Sequence, residues 1–169
     1  MTNTRQKVTA DDQSIQVEWY CANTRPAPLL VSLIPDLPPQ TDFVTRVRWY
    51  APAVMRLLSA TVPAGQAVEQ GYVNLNAHIM TPETRTSTLY FFAATRNYCV
   101  KDAALNARLA ETRKHIFATE DKPMIDHVQE RMGDRDFWSL EPRLLPVDEA
   151  PVRVRRRLQQ LMAAEASVS

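Results

Sequence analysis

The chain has 169 residues, of which 45% are hydrophobic and 23% charged, and its formal net charge is +1. This length and composition are typical of a soluble globular protein of one domain. The charge gives no reason to expect a nucleic acid or an anionic membrane as the partner, and no apolar run approaches the ~20 residues of a membrane span. The three isolated glycines exclude a phosphate-binding loop, and two cysteines are too few for a disulfide framework. We therefore expect a cytoplasmic protein.

The amino-terminal part of the chain predicts a series of strands. Residues 1–13 are polar, and we expect a loose segment there. Alternation predicts a first strand over 14–22, and the proline-rich connection over 23–41 is expected to contain one apolar turn packed on the core. Further strands are predicted at 43–50, 54–62, 69–80 and 86–97. The connections between these strands are short and contain turn residues, which indicates an antiparallel meander.

The carboxyl-terminal part predicts helices. Asp102 can cap a helix, Pro123 interrupts or kinks it, and Gly133 ends it. Asp148 opens a final helix. Strands followed by helices indicate a single α+β domain over residues 14–165, in which a curved antiparallel sheet grips the C-terminal helix.

Asp121 is the first candidate functional residue. On a helix it shares one stripe with apolar side chains, namely Phe117, Met124, Ile125, Val128 and Met132. A buried carboxylate in such a stripe is costly unless its charge is compensated. Asp121 is therefore either the N-cap of a helix that begins at Lys122, or a metal ligand or buried acid. The histidines His115 and His127 lie six residues to either side, which turns them away from Asp121, so a complete metal site within this chain is not expected.

The strand that contains His78 supplies the other candidates. Alternation places Asn74, Asn76 and His78 on one face, which either meets water or lines a concave pocket where these side chains fix a ligand. The neighbouring segment 89–94 is apolar on both faces, and we expect it to be covered on both sides. This pattern favours the pocket.

Three segments together resemble a known family. They are His78–Thr88, followed by Tyr90-Phe91-Phe92 and Arg96-Asn97; then Phe117–Ile125; then Leu144–Ala150 with Val152–Arg155. In this order and spacing, the chain from about residue 43 to 165 resembles the C-terminal catalytic region of Rieske non-haem iron oxygenases, in the branch of vanillate O-demethylase and related aromatic monooxygenases.

The resemblance implies a helix-grip sheet with an aromatic substrate held between sheet and helix, and mononuclear Fe(II) bound by two histidines and one carboxylate. Asp121 aligns with the iron-binding aspartate, and His78, Asn76 and Asn74 fall on the strand that lines the substrate pocket. In the complete enzymes, a reductase passes electrons through a Rieske [2Fe–2S] cluster to the iron.

The chain also departs from the family pattern. It lacks the Cys-x-His and Cys-x-x-His pairs of a Rieske centre, and no histidine precedes Phe43. We therefore expect no Rieske domain, no [2Fe–2S] cluster bound by this chain, and no hydroxylation by this chain alone. It is then a portion of an oxygenase catalytic domain, which is either the product of a truncated gene or of a misplaced start codon, or a subunit that a second, Rieske-bearing chain completes. The alternatives are a non-catalytic module of helix-grip fold that binds an aromatic ligand or supports oligomerisation, and a stand-alone fold without function. A partial domain exposes apolar surface, so a homo-oligomer or a partner chain is expected.

Overall fold

The computed structural model describes residues 4–167, which form one sheet and four α-helices. The strands are β1 (Thr4–Ala10), β2 (Ser14–Thr24), β3 (Thr41–Tyr50), β4 (Val54–Pro63), β5 (Tyr72–Pro82) and β6 (Thr88–Arg96). The helices are α1 (Pro28–Leu33), α2 (Ala103–Ile116), α3 (Lys122–Met132) and α4 (Glu149–Ala166). Among these helices, none has the length and apolar character that a membrane span requires.

The six strands follow one another across the sheet in chain order, from β1 to β6. Each strand from β1 to β4 pairs antiparallel with the next, and β6 is hydrogen-bonded beside β5. The predicted meander and the α+β fold class are therefore confirmed. The start of β5 differs from the prediction, because Val68–Gln70 form a 3-10 turn and the strand begins at Tyr72. Within the proline-rich connection, α1 buries Leu30, as the predicted apolar turn requires.

The prediction of a loose segment over residues 1–13 is wrong for Thr4–Ala10, which form β1 and pair with β2 along the whole strand. Residues 1–3 of that segment lie outside the described residues. The sequence pattern did not predict β1 because it is an edge strand with mostly exposed polar side chains. Val8 is its one large apolar residue that faces the core. Its stability comes from backbone hydrogen bonds to β2, which do not depend on side-chain polarity.

One face of the sheet is covered by α4. Ile15 and Val17 of β2 and Trp49 of β3 are buried together with Ala150 of α4, and Val154 packs against the same cluster. We call this side of the sheet the helix-covered face. Burial of these apolar side chains holds the C-terminal helix on the sheet.

The opposite face has a smaller core, in which Val44, Ala60 and Val62 are buried. Beside this core lies the carboxylate of Asp42, which is itself buried. It accepts hydrogen bonds from Tyr20 Oη at 2.6 Å, from the Asn23 backbone N–H at 3.0 Å and from the Gly65 backbone N–H at 3.1 Å. Asp42 of β3 therefore connects the end of β2 with the turn at Gly65.

The described residues fall into two compact units, and the single domain over residues 14–165 stays a prediction. The first unit contains the chain up to Met80, Tyr90–Tyr98 and the chain from Leu145 onward, which includes most of the sheet and α4. The second unit contains Thr81–Leu89 and Cys99–Leu144, which include the β5–β6 connection, α2 and α3.

The backbone of Gly71 lies against β4, so a side chain at this position is expected to lower stability. A Cβ atom at this position would lie 2.8 Å from the Thr61 carbonyl oxygen and 2.9 Å from Val62 Cγ2. We expect Gly71→Ala to lower the free energy of unfolding by about 1–3 kcal/mol, as overpacking of a core does, in urea unfolding followed by circular dichroism. Glu69→Ala, at an exposed neighbouring position, is the control and should change it by less than about 0.5 kcal/mol. A Gly71→Ala protein as stable as the unmodified chain would contradict this contact.

Candidate functional site

The predicted polar row of β5 lies on the helix-covered face. In the register of the sheet, His78 lies opposite Met55, Met55 opposite Trp49, and Trp49 opposite Ile15. Residues directly opposite each other point to the same side of a sheet. Asn76 and Asn74 share this side with His78 by alternation. The three side chains therefore stand on the face that α4 covers, farther along the sheet from the buried Trp49 cluster.

His78 is held by Tyr90 of β6. The Tyr90 hydroxyl is hydrogen-bonded to Nδ1 of His78, and the two rings lie with their centroids 5.9 Å apart at an interplanar angle of 28°. Nε2 of His78 is buried and has no hydrogen-bond partner within residues 4–167. Burial lowers the pKa of His78 from its ordinary value of 6.5, so the ring is neutral at pH 7. The result is a neutral imidazole with one nitrogen engaged and the other unpaired.

The two asparagines of the row differ in their contacts. Asn74 Oδ1 accepts a hydrogen bond of 3.1 Å from the Tyr98 hydroxyl, and the Tyr98 ring meets Tyr72 edge-on with centroids 6.0 Å apart. Asn74 is therefore fixed by its neighbours. Asn76 is half-buried and its amide has no side-chain hydrogen bond among the residues that the structure describes. Asn76 consequently retains its full capacity to donate and to accept a hydrogen bond from a ligand.

Tyr90 was not among the site residues predicted from the sequence, although it contacts His78 directly. Its ring also lies 6.3 Å from that of Phe92, which shares its side of β6. An available signal was the alternation of Tyr90 and Phe92 on the strand next to His78. The prediction that segment 89–94 is covered on both sides is wrong, because Leu89, Tyr90, Phe91 and Phe92 are between 40% and 54% exposed.

Asp121 lies within an unbroken run of helical backbone. Phe117–Asp121 form a π-helical turn between α2 and α3, closed by a hydrogen bond from the Lys122 N–H to the Phe117 carbonyl. The wider turn accommodates Pro123, which has no N–H to donate and whose ring would crowd the carbonyl four residues earlier. Single π turns of this kind occur frequently at functional sites.

The helix-cap alternative for Asp121 is not supported. A capping residue leaves the helical conformation and its side chain accepts a backbone N–H. Asp121 instead has φ −69° and ψ −51°, and its side chain accepts no capping hydrogen bond. Asp102, by contrast, caps α2 as predicted, by accepting a 2.9 Å hydrogen bond from the Leu105 N–H.

The apolar stripe around Asp121 is exposed. Met124 and Ile125 are 65% and 66% exposed, and Asp121 itself is exposed. The carboxylate therefore bears no burial cost within the described part of the chain, contrary to the argument from the stripe. His115 and His127 are exposed as well, and no group of three or more His, Cys, Asp or Glu side chains within residues 4–167 is arranged to hold a metal ion. Asp121 alone does not constitute an iron site, and it belongs to the second compact unit, whereas His78 belongs to the first.

A cleft of about 300 Å³ lies on the opposite face of the sheet, away from the predicted residues. Three of its charged side chains are already paired, since Asp42 accepts three hydrogen bonds and Glu18 forms an ion pair with Arg46. The helix-covered face, with the unpaired nitrogen of His78, is therefore the better candidate for ligand binding.

Comparisons with known proteins agree with the fold. The model of the vanillate O-demethylase oxygenase C-terminal domain family matches residues 1–164. The oxygenase component of a chloroacetanilide N-alkylformylase from Rhizorhabdus wittichii is 33% identical over 159 residues, which are 94% of this chain and 46% of that protein.

Two crystal structures of dicamba monooxygenase are similar in fold. The complex with 3,6-dichlorosalicylic acid has a TM-score of 0.86 and 28% identity, over 96% of this chain and 48% of that one. The structure with non-heme iron and dicamba has a TM-score of 0.83 and 27% identity, over 98% and 50% of the two chains. The chain thus spans about half the length of the relatives that it matches. The family match and these similarities confirm the predicted resemblance, and the chain belongs to the vanillate O-demethylase oxygenase C-terminal domain family.

Proposed function

We propose that this chain is the C-terminal portion of the catalytic domain of an oxygenase that uses O2 to hydroxylate or O-demethylate an aromatic substrate. The observation that carries the proposal is the unpaired, buried Nε2 of His78 on the helix-covered face of a sheet whose family is that of oxygenases. A buried polar atom without a partner costs about 1–3 kcal/mol, so a ligand that supplies the partner is favoured.

The side chains of this face have distinct roles in the proposal. His78 and Asn76 form hydrogen bonds to polar groups of the substrate and orient its ring. Asn74 accepts a hydrogen bond from the Tyr98 hydroxyl and thereby stabilises this part of the face. The exposed rings of Tyr90 and Phe92 offer apolar surface against which an aromatic ring can stack.

In this proposal, the carboxylate of Asp121 is one of the ligands of the iron. The carboxylate is exposed and does not cap a helix, so its oxygens are accessible to a cation. When bound in a facial arrangement of two histidines and one carboxylate, Fe(II) supplies oxygen activation. The described residues do not complete such a set, and the missing ligands must come from outside them. We therefore propose that a Rieske-bearing polypeptide completes the site and that a reductase supplies electrons to the assembly, a cytoplasmic homo-oligomer.

Ligand binding tests the role of His78 in holding the substrate, and this test requires no iron. We expect the chain to bind vanillate or dicamba saturably, and His78→Ala to weaken this binding about 10-fold, because a hydrogen bond in a partly buried site is lost. Isothermal titration calorimetry measures the affinity. His115→Ala, which removes an exposed histidine on α2, is the matched control and should bind as the unmodified chain does. Equal affinity in the His78→Ala and unmodified chains would contradict the assignment of His78.

Binding alone does not separate the proposed oxygenase portion from a non-catalytic aromatic-binding module, since both functions require His78 and Asn76 to contact the ligand. Iron distinguishes the two. A binding module acquires no iron when a Rieske-bearing polypeptide is supplied, whereas an oxygenase portion does.

A further inference from the structure

The face of the sheet that α4 does not cover has exposed apolar side chains on β4 and β5. Val54 lies directly opposite Ile79, and the two residues are 39% and 43% exposed. They alternate with Met55 and His78, which point to the helix-covered face. An apolar sheet face is normally buried against a second layer of the fold. Within residues 4–167 no layer buries Val54 and Ile79, so they form a surface suited to a partner.

Phe91 extends this apolar surface onto β6. The strands β5 and β6 are neighbours in the sheet and are joined by a short connection, so they run antiparallel. The Thr95 hydroxyl donates a hydrogen bond of 3.3 Å to the Leu75 carbonyl, and counting four residues along each strand places Phe91 beside Ile79. Phe91 is 54% exposed. We call Val54, Ile79 and Phe91 the apolar row.

Two arginines lie beside the apolar row on the same face. Arg48 of β3 is directly opposite Arg56 of β4, two residues along the strand from Val54. We call them the arginine pair. Like charges directly opposite each other destabilise a sheet, and an anion close to both relieves their repulsion.

The positive charge of the arginine pair is only partly compensated. Arg48 contacts Asp11 at 3.3 Å, but its buried Nε has no hydrogen-bond partner within residues 4–167. Arg56 is exposed and forms no ion pair in the part of the chain that the structure describes. The surface therefore combines apolar side chains with an unmet demand for a carboxylate.

The spacing of these groups fits a helix that crosses the strands. Neighbouring strands are about 4.8 Å apart, so the three side chains of the apolar row span about 10 Å. Apolar residues at positions i, i+4 and i+7 of a helix cover about the same length, at 1.5 Å per residue. The arginine pair lies about 7 Å to one side of the row, which is within reach of carboxylates on the flank of such a helix.

We propose that the apolar row and the arginine pair together bind an acidic amphipathic helix of a partner protein. Apolar side chains of that helix pack on Val54, Ile79 and Phe91, and its carboxylates pair with the arginines. A two-fold contact between two copies of this surface supplies no carboxylate to the arginine pair, which favours a different protein as the occupant. The inference does not depend on the proposed function, because the surface lies on the other side of the sheet from His78.

Two synthetic helical peptides serve as probes. Both carry leucine at positions i, i+4 and i+7, and their flanking positions are glutamate in one peptide and lysine in the other. We expect the unmodified chain to bind the glutamate peptide about 10-fold or more tightly than the lysine peptide, because only carboxylates pair with the arginines. Fluorescence anisotropy at low ionic strength measures both affinities, and added salt should reduce the difference.

Three variants locate the binding on this face. Arg56→Glu should weaken binding of the glutamate peptide about 10-fold without weakening that of the lysine peptide. Arg25→Glu makes the same charge change at an exposed position between β2 and α1, and as the matched control it should change neither affinity. Phe91→Ala should weaken binding of the glutamate peptide about 10-fold through the loss of apolar contact. Circular dichroism verifies that each variant is folded.

Several outcomes would overturn the inference. They are equal affinity for the two peptides, binding of neither peptide, and an equal effect of Arg56→Glu and Arg25→Glu. Sedimentation of the peptide-free chain tests the other occupant. A dimer that Phe91→Ala dissociates would make a second copy of the chain the partner and would also overturn the inference. Because none of these measurements involves His78, iron or an aromatic ligand, their outcome is separate from that of the proposed function.

Discussion

Substitution of Asp121 by asparagine is expected to remove iron from an assembled oxygenase that contains this chain. The test protein joins the amino-terminal half of dicamba monooxygenase to this chain, which aligns with about half of that enzyme. Because Asp121 is proposed as one of three protein ligands, loss of its negative charge should lower the iron content by about 10-fold or more and abolish turnover of dicamba. Iron is measured by inductively coupled plasma mass spectrometry, and turnover by chromatography of the product.

Asp126→Asn is the matched control for this experiment. Asp126 is an exposed aspartate on α3 that forms an ion pair with Lys122, and its loss should leave the iron content unchanged. The chain without the amino-terminal half should contain far less than one iron per molecule. Full iron content in the Asp121→Asn fusion would show that the family's iron-binding carboxylate is not at this position.

The second large effect concerns stability and centres on Asp42. We expect Asp42→Ala to lower the free energy of unfolding by about 3 kcal/mol or more, because one buried carboxylate accepts three hydrogen bonds and its removal leaves the Asn23 and Gly65 backbone groups unpaired. Tyr20→Phe removes one of these bonds and should cost about 1–2 kcal/mol. Asp36→Ala, at an exposed position, is the control. Urea unfolding provides the comparison, and equal stability of the Asp42→Ala and Asp36→Ala proteins would refute the role of Asp42.

The same contacts give this stabilisation a pH dependence. The hydrogen bond from Tyr20, together with those from the Asn23 and Gly65 backbone, holds the pKa of Asp42 below its ordinary value of 3.8. A lowered pKa in the folded state means that the stabilisation is complete above pH 3.8 and is lost as the pH falls through the folded value. The same bond raises the pKa of Tyr20 above 10, so at the alkaline end the stabilisation is lost as the pH rises through that folded value. The difference in stability between the unmodified and Asp42→Ala proteins should therefore shrink at both extremes.

The sheet could be predicted from the sequence because its strands combine alternating apolar residues with recognisable turns. Predicted and observed strands coincide within a few residues for β2, β3, β4 and β6. The two predictions that were wrong, for β1 and for the burial of β6, both concern edge strands. The pattern missed β1 because backbone pairing does not require apolar side chains. It overestimated the burial of β6, because an apolar pattern indicates that a surface is suited to burial, whereas Leu89–Phe92 are between 40% and 54% exposed.

The candidate site could be predicted only in part, for a related reason. Alternation alone placed Asn74, Asn76 and His78 on one face, but it could not decide between solvent and a covered face. That decision required the register from β5 to β2, which places His78 in line with Met55 and Trp49. The partner of His78 is twelve residues away on the next strand, and a hydrogen bond between two side chains leaves no periodic signature in the sequence.

The exposed character of β6 affects how this polypeptide behaves in concentrated solution. The strand is at the end of the sheet, its sequence TLYFFAATR contains no proline, and its one charge is at Arg96. Short uncharged segments rich in aromatic residues are those that stack into cross-β fibrils when an open edge is available as a template. No gatekeeper charge interrupts the segment from Thr88 to Thr95. Production of this chain on its own therefore favours inclusion bodies, and a lysine in place of Phe91 is the change that would block edge-to-edge growth.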